Sequence, residues 1–235
     1  MDLSIVIPAY NEAERLPATL KAIGSYLEAS ARSIEVVIVN DGSTDRTAEV
    51  VKECMPSARL ISLPKNMGKG AAVRAGMIAA QGDWRYLCDA DLSTPITELD
   101  QLLTLTNQAD VIIGSRNVPG AAVTRHQSWW KELLGSLGNL MIQALLLPGI
   151  HDSQCGFKLF HARTMNIFHQ QRQERWGYDF EVLFLARKFG WRITEVPVHW
   201  VNDPRSKVQP FDYIKTLSEL LTIRWNAWMG RYKLS

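Results

Sequence analysis

The sequence has no apolar run of the ~18 residues that a helix needs to cross a bilayer. The nearest stretch, 140–150, is broken by Gln143 and Pro148. A bilayer span is therefore not expected. Cysteine is scarce: Cys54, Cys88 and Cys155 are odd in number, far apart and in no CxxC arrangement. Each lies in or after an apolar stretch, so three buried free thiols in a reducing cytoplasm are expected. Net charge is only +2 and no basic block stands out, which gives no reason to expect nucleic-acid binding. The apolar pattern begins at Leu3, which leaves no place for a secretory leader. There is no internal repeat, low-complexity tract or linker. What is there suits one α/β domain over 1–235, since 46% hydrophobic residues can fill a sizeable core.

The first half alternates two patterns. Short apolar runs at 3–8, 34–40, 59–63, 84–88 and 111–114 read as strands covered on both faces. Helical spacing separates them at 12–28, 44–53, 69–80 and 95–106. Such alternation predicts a mostly parallel central sheet with helices on both faces. Ligands then belong at the carboxyl ends of the strands. The second half reads as helices at 128–147, 178–189 and 211–230, with strands at 156–161 and 193–201.

The polar residues after each strand carry the chemistry. Asp89 and Asp91 lie two apart at a strand end and so face the same way. They read either as a hard-oxygen site for Mg²⁺ or Mn²⁺ or as a solvated acidic turn. After the first strand, Asn11 and Glu14 have capping-box spacing. Tyr10 and Glu12 have the chemistry to stack on and bond to a base or ribose. Asp41 either accepts hydrogen bonds from a nucleoside or belongs to an Asp-Gly turn, with Ser43 or Thr44 capping the next helix. Lys69 opens a helix whose N–H groups favour anions. The segment is not a Walker A loop, and no GxGxxG follows the first strand.

In order and spacing, PAYNE (8–12), NDGSTD (40–45), KNMGKG (65–70) and DADL (89–92) resemble the inverting glycosyltransferases of family 2, with the GT-A nucleotide-diphospho-sugar transferase fold. The resemblance is strong over 1–116, a nucleotide-binding half, and leaves 117–235 as an acceptor-binding half. There GSR (114–116), DSQCGFKLF (152–160), ERWGYDFE (174–181) and VPVHW (196–200) are similar to the branch that glycosylates polyprenyl phosphates. Within that branch they are most similar to dolichyl-phosphate β-glucosyltransferases. The resemblance implies that Pro8, Tyr10, Glu12, Val39 and Asp41 hold the nucleoside. It places Asp89 and Ala90 against ribose and diphosphate, and Asp91 on the metal. Arg116, Arg205 and Lys207 would face the diphosphate and the acceptor phosphate, with Arg125 beside them. Ser93 stands where mannose-transferring relatives have a metal-binding glutamine.

The segment from Gln154 to Lys158 is read either as shaping the sugar pocket or as a packed strand that holds Cys155 and Phe157 inward. Asp179 and Glu181 exceed what one helix start needs, so one is expected on sugar or acceptor. His151, His161 and His169 show no ligand spacing, and His199 is expected to be structural. Trp129, Trp130 and Lys131, with Arg224, Trp225, Trp228, Arg231 and Lys233, suit a headgroup layer. In the last helix the stripe Ile214, Leu217, Leu221, Trp225, Trp228 is expected to face the protein, and Leu220, Ile223, Ala227 to face a membrane or partner. The implied activity is transfer of glucose from UDP-glucose to a polyprenyl phosphate at the cytoplasmic face of a membrane, with peripheral attachment. Rivals are mannosyl transfer from GDP-mannose, transfer to a sugar hydroxyl, and a nucleotide-sugar-binding module without turnover.

Overall fold

The computed structural model describes residues 1–124, 129–201 and 210–233, with 129–134 and 210–217 as backbone only. The β-branched run Leu3–Ala9 (β1) has no exposed residue, because it lies in the middle of a sheet covered on both sides. It pairs in parallel with Ile34–Asn40 (β2) on one side and Trp84–Leu87 (β4) on the other. Arg59–Ser62 (β3) extends the β2 edge, while Lys158–His161 (β7), Val111–Ser115 (β5) and Ile193–Pro197 (β8) extend the other, giving the order β3-β2-β1-β4-β7-β5-β8. Only β7 runs antiparallel to its neighbours. Its short run, Gly156 to His161, carried no sign of direction. Ala122–Thr124 (β6) and His199–Val201 (β9) form a separate parallel pair. The single strand expected over 193–201 is thus two, parting after Pro197, which has no N–H for the ladder.

Alternate strand residues enter two cores. Val6, Val37, Val39 and Ile113 meet Lys69–Ala79 (α3), Trp129–Leu145 (α5) and Tyr178–Lys188 (α7). Ile5, Ile7, Ile38 and Ile112 meet Leu16–Ala29 (α1), Thr47–Cys54 (α2) and Leu99–Leu103 (α4). Asn166–Gln170 (α6) and Pro210–Trp228 (α8) complete the chain on the first side. The expected mostly parallel sheet with helices on both faces is present.

Local expectations fail where tertiary bonds compete. Asn11 is not in a capping box: it adopts a left-handed φ of 51° and its side chain accepts from the Thr44 N–H, so α1 starts only at Leu16. Neither Ser43 nor Thr44 caps α2; Asp45 accepts from the N–H and hydroxyl of Thr47 instead. Cys88 and Cys155 are buried, but Cys54 is exposed at the end of α2. In the described part of α8 the expected faces are exchanged; the side chains of Ile214 and Leu217 lie outside the described residues. Leu220 and Ile223 are buried, while Leu221, Trp225 and Trp228 are exposed. Helices pack 8–10 Å apart, and the narrower stripe of smaller side chains fits that gap.

Candidate active site

The chain passes from β1 to β2 and β3 on one side, then returns to β4 on the other. The crevice between the carboxyl ends of β1 and β4 is therefore the topological switch point. Tyr10 follows β1 and is more than a third exposed there. Beside it Glu12 is buried, and its carboxylate accepts from the Arg15 guanidinium. Arg15 also approaches Asp91, with Nη1 3.5 Å from Oδ2. Sequence reasoning missed Arg15, which has no motif of its own.

Asp89 and Asp91 stand just beyond β4. Lys69 Nζ lies 2.6 Å from Asp89 Oδ1 and faces the rings of Trp176 and Tyr178 at 5.5 and 5.9 Å. Burial acts to lower the Lys69 pKa, and the Asp89 carboxylate overrides it, holding the amine well above its usual value. Asp91 Oδ1 accepts from the Ser93 N–H at 3.0 Å. Burial, and then the charge of Asp89, raise Asp91 above the usual carboxylate value. Two carboxylates two residues apart at a strand end are hard oxygen donors of the kind that suits Mg²⁺ or Mn²⁺. Among the described residues no group of three or more acids, histidines or cysteines converges, so the remaining ligands of an ion would be phosphate oxygens and water. Ala90, between the two acids, is buried, and its carbonyl accepts from Thr19.

Several expected contacts take another form. Asp41 is 2% exposed and accepts from the N–H groups of Met67 and Gly68 at 2.7 and 2.9 Å. These two bonds pin the loop that opens α3. Gly42, at φ 63°, lets that turn touch the backbone of Lys65; a Cβ there would overlap it. Val39 has no exposed surface and belongs to the core, so its side chain cannot reach a nucleoside. Pro8 is likewise buried in β1. Gln154 is exposed beside buried Cys155 and Phe157.

Arg116 does not offer a two-bonded grip to phosphate. Its Nε and Nη2 donate to the two oxygens of Asp152 at 2.7 and 2.9 Å, its backbone N–H donates to the same carboxylate, and its guanidinium lies 5.2 Å from the Trp200 ring centre. A geometric match for a phosphate matches a carboxylate equally well, and Asp152 takes it. Asp179 is 3% exposed and holds Lys158 Nζ at 2.5 Å, beneath Lys69 and Tyr178. Glu181 has no exposed surface, and its oxygens accept from the Tyr232 hydroxyl and the N–H groups of Arg172 and Gln173. It braces the loop whose Glu174 carbonyl accepts from Ala71 in α3, so direct contact with sugar is replaced by support of the α3 start. Lys158, the end of the segment read as a pocket wall or a packed strand, is buried against Asp179; a lysine inside the apolar run Gly156 to Phe160 was the signal that an acid partner must meet it. Gly156, in the same segment, acts through its small size. A Cβ there would overlap the Asp89 carboxylate.

Arg125, Arg205 and Lys207 lie outside the described residues. His199 pairs with Glu98 and His151 with Glu195, both on the surface. Among the described residues no helix is long and apolar enough to cross a membrane.

A family model described as Glycosyl transferase family 2 matches residues 4–167. The chain is 36% identical over 94% of its length to a dolichyl-phosphate beta-glucosyltransferase of Trichomonas vaginalis, covering 70% of that protein. It is 34% identical to those of Dictyostelium discoideum and Homo sapiens, over 99% of this chain and 76% and 78% of theirs. In fold it resembles glucosyl-3-phosphoglycerate synthase of Mycobacterium tuberculosis crystallised with Mn²⁺, uridine diphosphate and glucosyl-3-phosphoglycerate. That match has a TM-score of 0.71 at 17% identity, covering 94% of this chain and 79% of the other.

Proposed function

The chain belongs to glycosyl transferase family 2, and from that premise we propose that it transfers glucose from UDP-glucose to a polyprenyl phosphate of the dolichyl type. The observation that carries this reading is the acidic pair Asp89 and Asp91, set at the switch point of the sheet, with Lys69 held 2.6 Å from Asp89. Tyr10 stacks on the uracil ring at the end of β1. Asp41 acts from behind, fixing the loop of Met67 and Gly68 so that α3 presents its amino end and Lys69 to the diphosphate. Asp89 and Ala90 lie along the ribose, and Asp91 is the principal metal ligand. With Asp89 it would hold Mg²⁺ or Mn²⁺, which would supply charge neutralisation for the departing diphosphate. The acceptor phosphate oxygen attacks the anomeric carbon in line, the bond to UDP breaks, and an α-linked donor gives a β-linked product.

A phosphate acceptor also fits the state of the two candidate bases. Transfer to a hydroxyl needs a carboxylate able to take a proton. Asp179 is committed to Lys158, and Glu181 to Tyr232 and two backbone N–H groups. A phosphate monoester needs no such base, because its second pKa is about 6. It needs positive charge, which Arg125, Arg205 and Lys207 supply. Arg116 and Gln154 shape the acceptor side, Arg116 as a positioning residue locked to Asp152. A lipid-borne acceptor supports peripheral attachment to a membrane surface, and we assign that surface to the cytoplasmic face. Incubation with UDP-glucose, GDP-mannose and a short polyprenyl phosphate, with Mg²⁺ or Mn²⁺, tests the reading by product mass. Glucosyl polyprenyl phosphate is expected; a mannosyl product or a glycosylated sugar hydroxyl would overturn it.

A further inference from the structure

Ten large apolar side chains are well exposed among the described residues, and half lie on two packed helices. Leu137 and Leu140 project from α5; Leu221, Trp225 and Trp228 project from α8. Trp225 and Trp228 are 54% and 76% exposed, with ring centres 5.1 Å apart. Beside them a groove of about 1110 Å³ opens between the carboxyl-terminal parts of α5, α7 and α8. Leu145, Phe184 and the two tryptophans form its walls, Arg187, Lys188 and Arg224 its polar lining, and no acid lines it. A contiguous apolar surface of this kind is seldom left in water.

We propose that this face rests on a bilayer containing anionic lipid. Trp225, Trp228 and Leu221 enter the headgroup layer, and Arg187, Lys188 and Arg224 meet lipid phosphates. The assignment rests on the lipid-acceptor reading and adds the surface that reaches the lipid. Charge complementarity selects this occupant. Tryptophan and leucine flanked by arginine and lysine match an interface that is apolar below and anionic above. A second copy of the chain fits poorly, since a two-fold contact sets the same three cations against their own images. Position agrees as well. α8 passes Gly177, the residue before Tyr178 and Asp179, at the level of Glu219. The tryptophan pair lies six and nine residues further on, roughly 9–14 Å along the helix. A molecule lying on this face keeps its site within reach of a lipid phosphate.

Flotation with phosphatidylcholine vesicles, with and without phosphatidylglycerol, tests the proposal. The wild type should float with the anionic vesicles and largely remain behind with the neutral ones. Trp225→Ala with Trp228→Ala should weaken partition roughly tenfold through lost apolar area. Lys188→Glu and Arg224→Glu should each weaken it at least about fivefold. All variants should keep glucosyl transfer to a short, water-soluble polyprenyl phosphate. A wild type that transfers glucose but ignores anionic vesicles would overturn the docking face and leave the activity standing. So would variants that float like the wild type, or a wild-type dimer that the tryptophan substitutions split.

Discussion

At Asp91, burial and the charge of Asp89 raise the carboxyl, and hydrogen bonds from Ser93 hold it in place. Lys69 beside Asp89 and Arg15 beside Asp91 offset part of the cost of setting two acids together, and the Ser93 N–H fixes the direction of Asp91. Asp91→Ala is expected to abolish metal-dependent UDP binding, measured by titration calorimetry with and without Mn²⁺. It should also remove several kcal/mol of transition-state stabilisation, on the order of 10³-fold in rate. Ser93→Ala should cost less, because it removes the hydroxyl bond to Asp91 but keeps the one from the backbone N–H. Arg116 gives a different signature from a phosphate-binding arginine. Breaking its pair with buried Asp152 should cost about 3 kcal/mol. In a chain of this size that lowers Tm by roughly 6–12 °C. An Arg116→Ala protein that loses activity at unchanged Tm would refute the clamp. The pH dependence follows from Asp152. Burial acts to raise its carboxyl, and the charge and hydrogen bonds of Arg116 override it, leaving it below its usual value. The stabilisation is therefore complete above the unfolded value of about 3.9 and is lost as pH falls through the lower folded value. The Tm gap between wild type and Asp152→Asn should hold from neutral pH to about pH 4 and close only below it.

At the scale of elements, the site depends on loops held by buried acids. Asp41 ties the end of β2 to the start of α3, and Glu181 ties α7 to the loop that meets α3 from the other side. Both acids are raised by burial and are placed as struts. The approach to β7 contributes by lacking a side chain. Gly156 leaves room for the Asp89 carboxylate, which is partly exposed and can swing aside. Gly156→Ala should therefore displace Asp89 with little change in Tm. The rate should fall on the order of 10²-fold, the effect of misplacing a group by about 1 Å. Calorimetry should show weaker UDP binding, and a variant with wild-type kinetics would show that the space is not needed.

For the whole molecule, the acceptor sets the pH profile. A phosphate acceptor predicts kcat/KM rising with pH as the monoester loses its second proton near pH ~6 and then levelling. A hydroxyl acceptor would make one carboxylate indispensable. Asp179→Ala separates the two. It leaves Lys158 buried without its partner and should cost about 3–5 kcal/mol of stability. The folded fraction should keep a profile of unchanged shape. A fall of about 10⁴-fold in rate with Tm unchanged would mark Asp179 as a general base and overturn the phosphate acceptor.

The alternation of apolar runs with helical spacing was enough to determine a mostly parallel sheet, because burial on both faces leaves a continuous apolar signature. Strand ends were legible for the same reason, and they located Tyr10, Asp41, Lys69, Asp89 and Asp91. What those side chains touch was decided by tertiary structure. An arginine that fits a phosphate also fits Asp152, and a separation of 36 positions hides the pairing. Lys158 and Asp179 lie 21 apart and become one buried pair only when β7 runs antiparallel beside β4. The two apolar stripes of α8 are equivalent by periodicity. Only the space left beside α5 and α7 chose which one to cover, turning Trp225 and Trp228 outward.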